Sequence, residues 1–525
     1  MWDRRDLLVA FLLGLLSLLL FLQYLDYGIN DDEGYLLGGV TRILEGEVPY
    51  RDFHHTYAPG RFYLVALLFR VFGEDLFVVR GLWVALRVVI VCLAYLAGRR
   101  VLSRSGAVAA SLFFIAAPGP WHKSFFHLFL LANLLALMGL PGPRARGAAA
   151  AGLLAGATFL FRQDLGVFVF LVYGLLLLLG RRTGENAARG AAFFLSAAAA
   201  ILPFVLYFAA EGALPAAASK VLLAGMRDNR TNALPFPSLF HPISGGVSGL
   251  AFFLLRLLYY VPVPLALLAG ASGVRGLLRG RPDGRPLLVL SLLGLLSFNQ
   301  ALWRSDLAHL FQAVGAAYLL LPWALERIAL RSAPARAALL SAPPVLLLLA
   351  IFIYADAYRS PLKRPWIAAE GLQPIPPYYT GSIAQVGGRV ERLTLRKARV
   401  RVPPEEARSL EAIGKVLDRY SSPGDYVLTV PGFQMIYFLF DRANPTSFIH
   451  LRRGFDAPAE EEAYIRDLLN RPTKLVLLRD IPLDGREERR FRNYAPRVFD
   501  AIERAFEPVE RLGDLIVYRR AEGER

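Results

Sequence analysis

Apolar runs recur along the chain from Leu7 to Tyr354 and then stop. Most are roughly 17 to 25 residues long, the length of helix needed to cross about 30 Å of hydrocarbon. Their positions predict membrane spans near residues 7–25, 77–98, 105–118, 125–140, 148–161, 165–180, 190–209, 249–273, 286–299, 309–325 and 337–354. The expected fold is a polytopic α-helical membrane protein with about eleven transmembrane helices. The first run, MWDRRDLLVAFLLGLLSLLLFLQYL, has the basic flank and apolar stretch of a signal peptide. No small-x-small cleavage site follows it, so it reads as an uncleaved span.

The polar connections between these runs fall into two sets. One set carries Arg4 and Arg5, Arg99, Arg100 and Arg104, Arg181 and Arg182, and Arg275, Arg279 and Arg281. Arginine gathers in cytoplasmic connections, which puts the N-terminus inside. The alternate set, residues 26–70, 118–124, the FRQD turn, 211–246 and 299–308, is richer in acids, histidines and aromatics and is expected to face outward. With an odd number of spans, everything after Tyr354 faces outward too. This organisation predicts a transmembrane domain over 1–357 with a first outward loop at 26–76, an extracytoplasmic domain over 358–525, and residence in the cell inner or plasma membrane.

Residues 358–525 lose the long apolar runs and alternate instead between helix and strand signals. PPEEARSLEAIGKVLDRY, AEEEAYIRDLLN and ERRFRNYAPRVFDAIERAF read as helices; DYVLTV, TKLVLLR and DLIVYRR read as strands. A small α/β domain with a largely parallel sheet is the expectation. Its glycines form no phosphate-binding fingerprint, which points to support or acceptor docking. The aromatic segment QPIPPYYTG, just after the last span, suits the membrane interface.

Composition agrees with a chain that lives mostly in lipid: 55% of its 525 residues are hydrophobic and 19% charged, with a mean hydropathy of +0.41. The net charge of +16 does not imply nucleic acid, because many arginines occupy turns between apolar runs, where they orient the chain. The lone cysteine, Cys92, lies inside an apolar run and excludes both a disulfide and a cysteine-based zinc site.

Candidate chemistry concentrates in the first outward loop, DYGINDDEGYLLGGVTRILEGEVPYRDFHHTYAPGRFYLVALLFRVFG. Asp31, Asp32 and Glu33 open a segment in which Tyr35, Leu36, Val40, Ile43 and Leu44 recur at helical spacing. An aspartate there is expected to cap the helix, and capping does not exclude catalysis. The Asp32-Glu33 pair, Tyr35, the Gly46-x-x-Pro49-Tyr50-Arg51-Asp52-Phe53 stretch and His55-x-x-x-Pro59 together resemble the multi-span glycosyltransferases of the GT-C superfamily. The nearest look-alikes are the bacterial relatives of protein O-mannosyltransferases and aminoarabinose transferases.

That resemblance implies a sugar donor on a polyprenyl phosphate, a lipid, glycan or protein acceptor, and a catalytic first-loop aspartate. The matching position is Asp32, with Asp31 and Glu33 as neighbouring candidates. A carboxylate suits attack by a hydroxyl on an anomeric carbon, because the hydroxyl proton needs an acceptor. The phosphate leaving group asks for cations at outward span ends. Arg162, in the FRQD turn, and Arg304 and His309, in RSDLAH, are candidates, as are Arg87, His55, Tyr50 and Arg51. Arg80 and Arg256 have an alternative as snorkelling anchors. The adjacent His54 and His55 point apart on any regular element. Relatives include metal-dependent and metal-independent members, so no cofactor is assigned and a divalent metal stays open. The competing function is a transporter or flippase of lipid-linked sugars, which should show internal repeats and polar residues at mid-membrane.

Overall fold

The computed structural model describes residues 2–23, 25–139, 145–179, 184–223, 233–239, 247–328, 332–359, 390–451, 454–455, 457–483 and 486–521. Arg181, Arg182 and the QPIPPYYTG segment lie outside the described residues. Two compact units emerge, each assembled from separate stretches of chain.

The first unit comprises Met1–Leu25, Gly81–Leu206 and Ala233–Gly387, and its described residues form helices and connecting turns with no strand. A helix lies at every position where a span was expected. Five are long and apolar enough to cross a bilayer: α1 (Arg4–Leu22), α4 (Leu76–Gly98), α9 (Gly184–Ala210), α13 (Gly284–Trp303) and the stretch Ala333–Ile353 of α16. Two bent pairs raise the number to as many as seven: α11 (Val247–Tyr260) with α12 (Pro262–Leu278), bent by 40°, and α14 (Leu307–Ala313) with α15 (Ala317–Leu325), bent by 65°. The other expected spans, α5 (Arg104–Ala116), α6 (Ser124–Met138), α7 (Ala145–Phe161) and α8 (Gln163–Leu179), are helices of 13, 15, 17 and 17 residues. Leucines and phenylalanines such as Leu7, Leu8 and Phe11 are exposed along α1, as a lipid-facing surface requires. The chain is a multi-pass membrane protein.

Polar residues pin the helix ends of this unit. Asp3 and Asp6 form a capping box at the start of α1. The buried Asp6 carboxylate also accepts from Tyr95 at 3.0 Å, Arg99 at 2.9 Å and Arg104 at 3.1 Å. Elsewhere small residues set the spacing: a Cβ added at Gly284 would lie 2.5 Å from the Leu277 nitrogen, so α12 and α13 touch backbone to backbone.

The second unit comprises Asp26–Arg80, Tyr207–Asn232 and Gly388–Arg525. Its sheet has the order β3 (Val427–Val430), β4 (Leu475–Arg479), β6 (Leu515–Arg520), β5 (Phe506–Leu512). Only β3 and β4 pair in parallel; β4–β6 and β5–β6 are antiparallel, so the sheet is mixed rather than largely parallel. The reason is the turn at Gly513, whose φ of 64° folds β5 straight back onto β6. β5 escaped the sequence pattern because Pro508 and a bulge interrupt its alternation, as suits an edge strand. The long helix expected over 488–506 is broken at Pro496, which starts its own helix, Pro496–Ala505. An unforeseen hairpin, β1 (Glu391–Leu395) with β2 (Ala398–Val402), precedes helix Pro404–Tyr420. One face of the sheet buries Leu428, Val430, Val476 and Leu478 against Tyr464, Leu468, Val498 and Ile502 of two helices.

The first-loop segment is woven into this C-terminal part. Tyr27 bridges to Arg401 and His54 to Phe448 in strand fashion, while Arg401 forms a bidentate pair with Asp26. Helix α2 (Asp31–Leu44) lies against the segment 433–450 along one face, on which Asp31, Gly34, Tyr35, Gly38, Gly39 and Arg42 recur at helical spacing. A Cβ on Gly34 would sit 2.4 Å from the Met435 nitrogen, which only glycine tolerates.

Candidate functional site

Within the second unit, three successive acids meet three environments. The helix cap is neither aspartate: Asn30 caps α2, its side chain accepting from the Asp32 N–H at 2.8 Å. Asp31 accepts from the backbone N–H of Phe433 at 3.2 Å. Asp32, on the same first turn, has a half-buried side chain. Glu33 is buried in an ion pair with Arg80 at 2.9 Å, the two side chains 4% and 3% exposed. Arg80 also donates to the carbonyl of Gly28 at 2.7 Å. It is therefore a buried partner and not a snorkelling anchor. Arg256, in the first unit, is buried as well.

One turn after Asp31, Tyr35 places its hydroxyl 2.9 Å from Nδ1 of the buried His55. The Tyr35 ring packs at 4.7 Å on His450. Burial, reinforced by the nearby Arg61 charge, pushes the His55 pKa well below the ordinary histidine range, so His55 is a neutral imidazole. Tyr50 and Arg51 shape the loop. Tyr50 takes a φ of 72° and donates its hydroxyl to the Tyr57 carbonyl at 2.6 Å. Arg51 forks onto Asp52 and reaches Glu211 at 2.8 Å, and Asp52 in turn accepts from the Val48 N–H at 2.7 Å.

Sequence reasoning missed two neighbours of Asp31. Glu406, near the start of helix Pro404–Tyr420, has its carboxyl raised from 4.5 to about 7 by burial and by the Asp31 charge, against a smaller opposing pull from Arg80. Gln434 follows Phe433 in the turn that holds Asp31. Neither carries a local motif; only the pairing of residues 27 and 401 and the packing of α2 bring them in.

The remaining candidates lie in the first unit, where Arg162, Arg304 and His309 gather around α14. Asp306 caps α14, accepting from the His309 N–H at 2.8 Å, and also receives Nδ1 of His309 at 2.8 Å and Nε of Arg304 at 2.6 Å. Nε2 of His309 lies 3.1 Å from Nζ of Lys123. An ammonium can only donate, so His309 accepts through Nε2 and carries its proton on Nδ1, toward Asp306. One turn along α14, the Gln312 amide turns its oxygen to both terminal nitrogens of Arg162, at 2.8 and 3.0 Å. Arg162 forks onto Asp164 at 2.7 and 3.1 Å and stacks over Phe126. Gln300 donates to the same Asp164.

Three permanent cations and a histidine thus share two carboxylates, a surplus of positive charge. Lys123 was not foreseen; its signal was position alone, in the short WHK turn of a connection that the sequence expected to face outward. Arg87 does not join the network. Buried, it donates to the carbonyls of Pro118 and Gly119, the turn leading into Trp121–Lys123. Among the described residues no three His, Cys, Asp or Glu side chains gather as metal ligands.

No protein-family model matches the chain, and no curated protein matches it in sequence. Among solved structures it resembles ArnT from Cupriavidus metallidurans bound to undecaprenyl phosphate, with a TM-score of 0.57 and 13% identity over 99% of this chain and 98% of that one. The chain has a GT-C fold. Against apo ArnT the TM-score is 0.54, at 14% identity over 98% and 96% of the two chains. The AglB oligosaccharyltransferase from Archaeoglobus fulgidus, solved with an inhibitory peptide and a dolichol-phosphate, is more distant at 0.48, with 75% of its chain covered. At such identities the likeness is one of fold.

Proposed function

We propose that this chain is an integral membrane glycosyltransferase that moves a sugar from a polyprenyl-phosphate donor to a hydroxyl of a lipid, glycan or protein. The observation that carries the reading is the end-to-end likeness to ArnT, a protein solved with undecaprenyl phosphate bound. The proposed topology has eleven spans, a cytoplasmic N-terminus and an outward C-terminal domain in the plasma or inner membrane.

Asp32 is the proposed general base. In an inverting transfer the acceptor oxygen attacks the anomeric carbon, the bond from that carbon to the phosphate oxygen breaks, and the polyprenyl phosphate leaves with the electron pair. The hydroxyl proton goes to the Asp32 carboxylate, and one carboxylate suffices. Asp31, held by the Phe433 N–H, positions the turn; Glu33 neutralises Arg80. Lys123, Arg304 and Arg162 are the proposed phosphate-binding groups, with His309 aiming Lys123. Arg87 fixes the turn that carries Lys123. Tyr50, Arg51 and His55 hold the shape of the first loop.

The test incubates the purified full chain in lipid nanodiscs with a panel of polyprenyl-phosphate sugars and follows release of polyprenyl phosphate. Release with sugar transfer to a hydroxyl is expected. In liposomes, movement of an intact lipid-linked sugar between leaflets with no bond broken would replace this reading by the transporter.

A further inference from the structure

Gln434 is fully buried, and neither its amide oxygen nor its amide nitrogen has a hydrogen-bond partner among the described residues. Burying such an amide unpaired costs about 1–3 kcal/mol, so native proteins seldom keep one without a use for it. Its neighbourhood is specific. The preceding residue, Phe433, donates its N–H to Asp31 and adopts a φ of 75°, a left-handed conformation that strains a non-glycine residue. The following residue, Met435, touches Gly34 on the first turn of α2. An unmet polar group and a strained backbone therefore fall on adjacent residues, at the contact with the proposed catalytic turn.

We infer that Gln434 is a substrate-recognition residue whose amide takes a hydroxyl group, of the transferred sugar or of the acceptor, when the Phe433 turn shifts. The chemistry selects the ligand. An uncharged amide offers a donor and an acceptor together, which matches a hydroxyl. Leaving the left-handed conformation relieves the strain at Phe433, which offsets part of the cost of moving the turn.

The inference rests on the glycosyltransferase reading, and its test separates the two. Gln434→Met keeps length and approximate volume while deleting both polar atoms. The ligand-free variant is expected to melt about 1–3 °C higher, because an unmet buried group is gone. Its KM for the substrate whose hydroxyl Gln434 reads is expected to rise about tenfold, the equivalent of one lost hydrogen bond. Varying donor and acceptor separately tells which substrate that is. A lower melting temperature would make the amide structural and overturn the inference, as would a raised one with both KM values unchanged. Gln434→Leu is measured alongside, and failure of both variants to fold would also overturn it. Absence of transfer by the wild-type chain with any lipid-linked sugar would sink the enzyme reading itself. A wild type and variants with identical transfer kinetics would sink only the role of Gln434.

Discussion

In the second unit, Asp31, Asp32 and Glu33 occupy consecutive positions on one helix turn and diverge: one is held by a backbone N–H, one is half-buried, one is buried against an arginine. In the first unit, Lys123, Arg162, Arg304 and His309 come from separate helix ends and converge on two aspartates. Adjacency in sequence separated roles in the first case, and distance in sequence did not prevent sharing in the second. A helix turn advances each residue by about 100°, so neighbours face different surroundings, whereas short polar connections return many helix ends to one level.

The sharpest way to break this contrast is Glu33→Ala. It leaves Arg80 charged, buried and without its carboxylate, which typically costs about 3–5 kcal/mol. Thermal unfolding of the full chain should show a large loss, or the variant should fail to accumulate in the membrane. Full stability would mean that Glu33 is not the structural member of the three acids.

Lys123→Ala tests the converging cluster. Loss of a charge-assisted contact to phosphate, about 1.5–3 kcal/mol, should weaken binding of undecaprenyl phosphate roughly 10- to 100-fold. Lys123→Arg should recover part of it. Unchanged binding would reduce the cluster to a helix-end brace.

Glu406→Gln examines the acid neighbour of Asp31. A carboxyl raised from 4.5 to about 7 holds the folded state back once it must ionise. Its contribution is therefore fully present below about pH 4.5 and is lost as pH rises through about 7. The glutamine variant should match wild type near pH 4.5 and be more stable at pH 8, by at most about 3 kcal/mol. Equal stability at both pH values would contradict burial of Glu406 beside Asp31.

Arg51→Ala should have the smallest effect. Its pairs with Asp52 and Glu211 are partly exposed, and such pairs are worth about 0–1 kcal/mol. A loss of activity beyond about tenfold would return Arg51 to the donor-binding set.

The helices were legible because apolar length is written along the chain, and a helix lies at each expected span. The bends at Pro262 and near Gly315 break two of them at points that a hydropathy window averages over. In the C-terminal part, five of the six alternating elements stand where the pattern put them, while β5 and the 391–402 hairpin were hidden by charge and proline. The first-loop acids were visible as a motif, but their division of labour was not, because it is set by Arg80, Phe433 and Glu406. The sequence also offered no sign of Gln434, since being buried without a partner is a property of packing alone.

The most direct test of the account is a single-turnover transfer assay on Asp32→Asn beside Asp31→Asn, with donor binding and melting temperature measured on the same samples. Asparagine at either position keeps an acceptor oxygen and a similar shape. Asp32→Asn should retain donor affinity and stability and lose about a hundred- to ten-thousand-fold in transfer rate, because an amide cannot take the hydroxyl proton. Asp31→Asn should stay within about tenfold of wild type, since its amide oxygen still accepts from the Phe433 N–H. Transfer by Asp32→Asn within tenfold of wild type would contradict the central claim, and a dead Asp31→Asn beside it would move the base to Asp31.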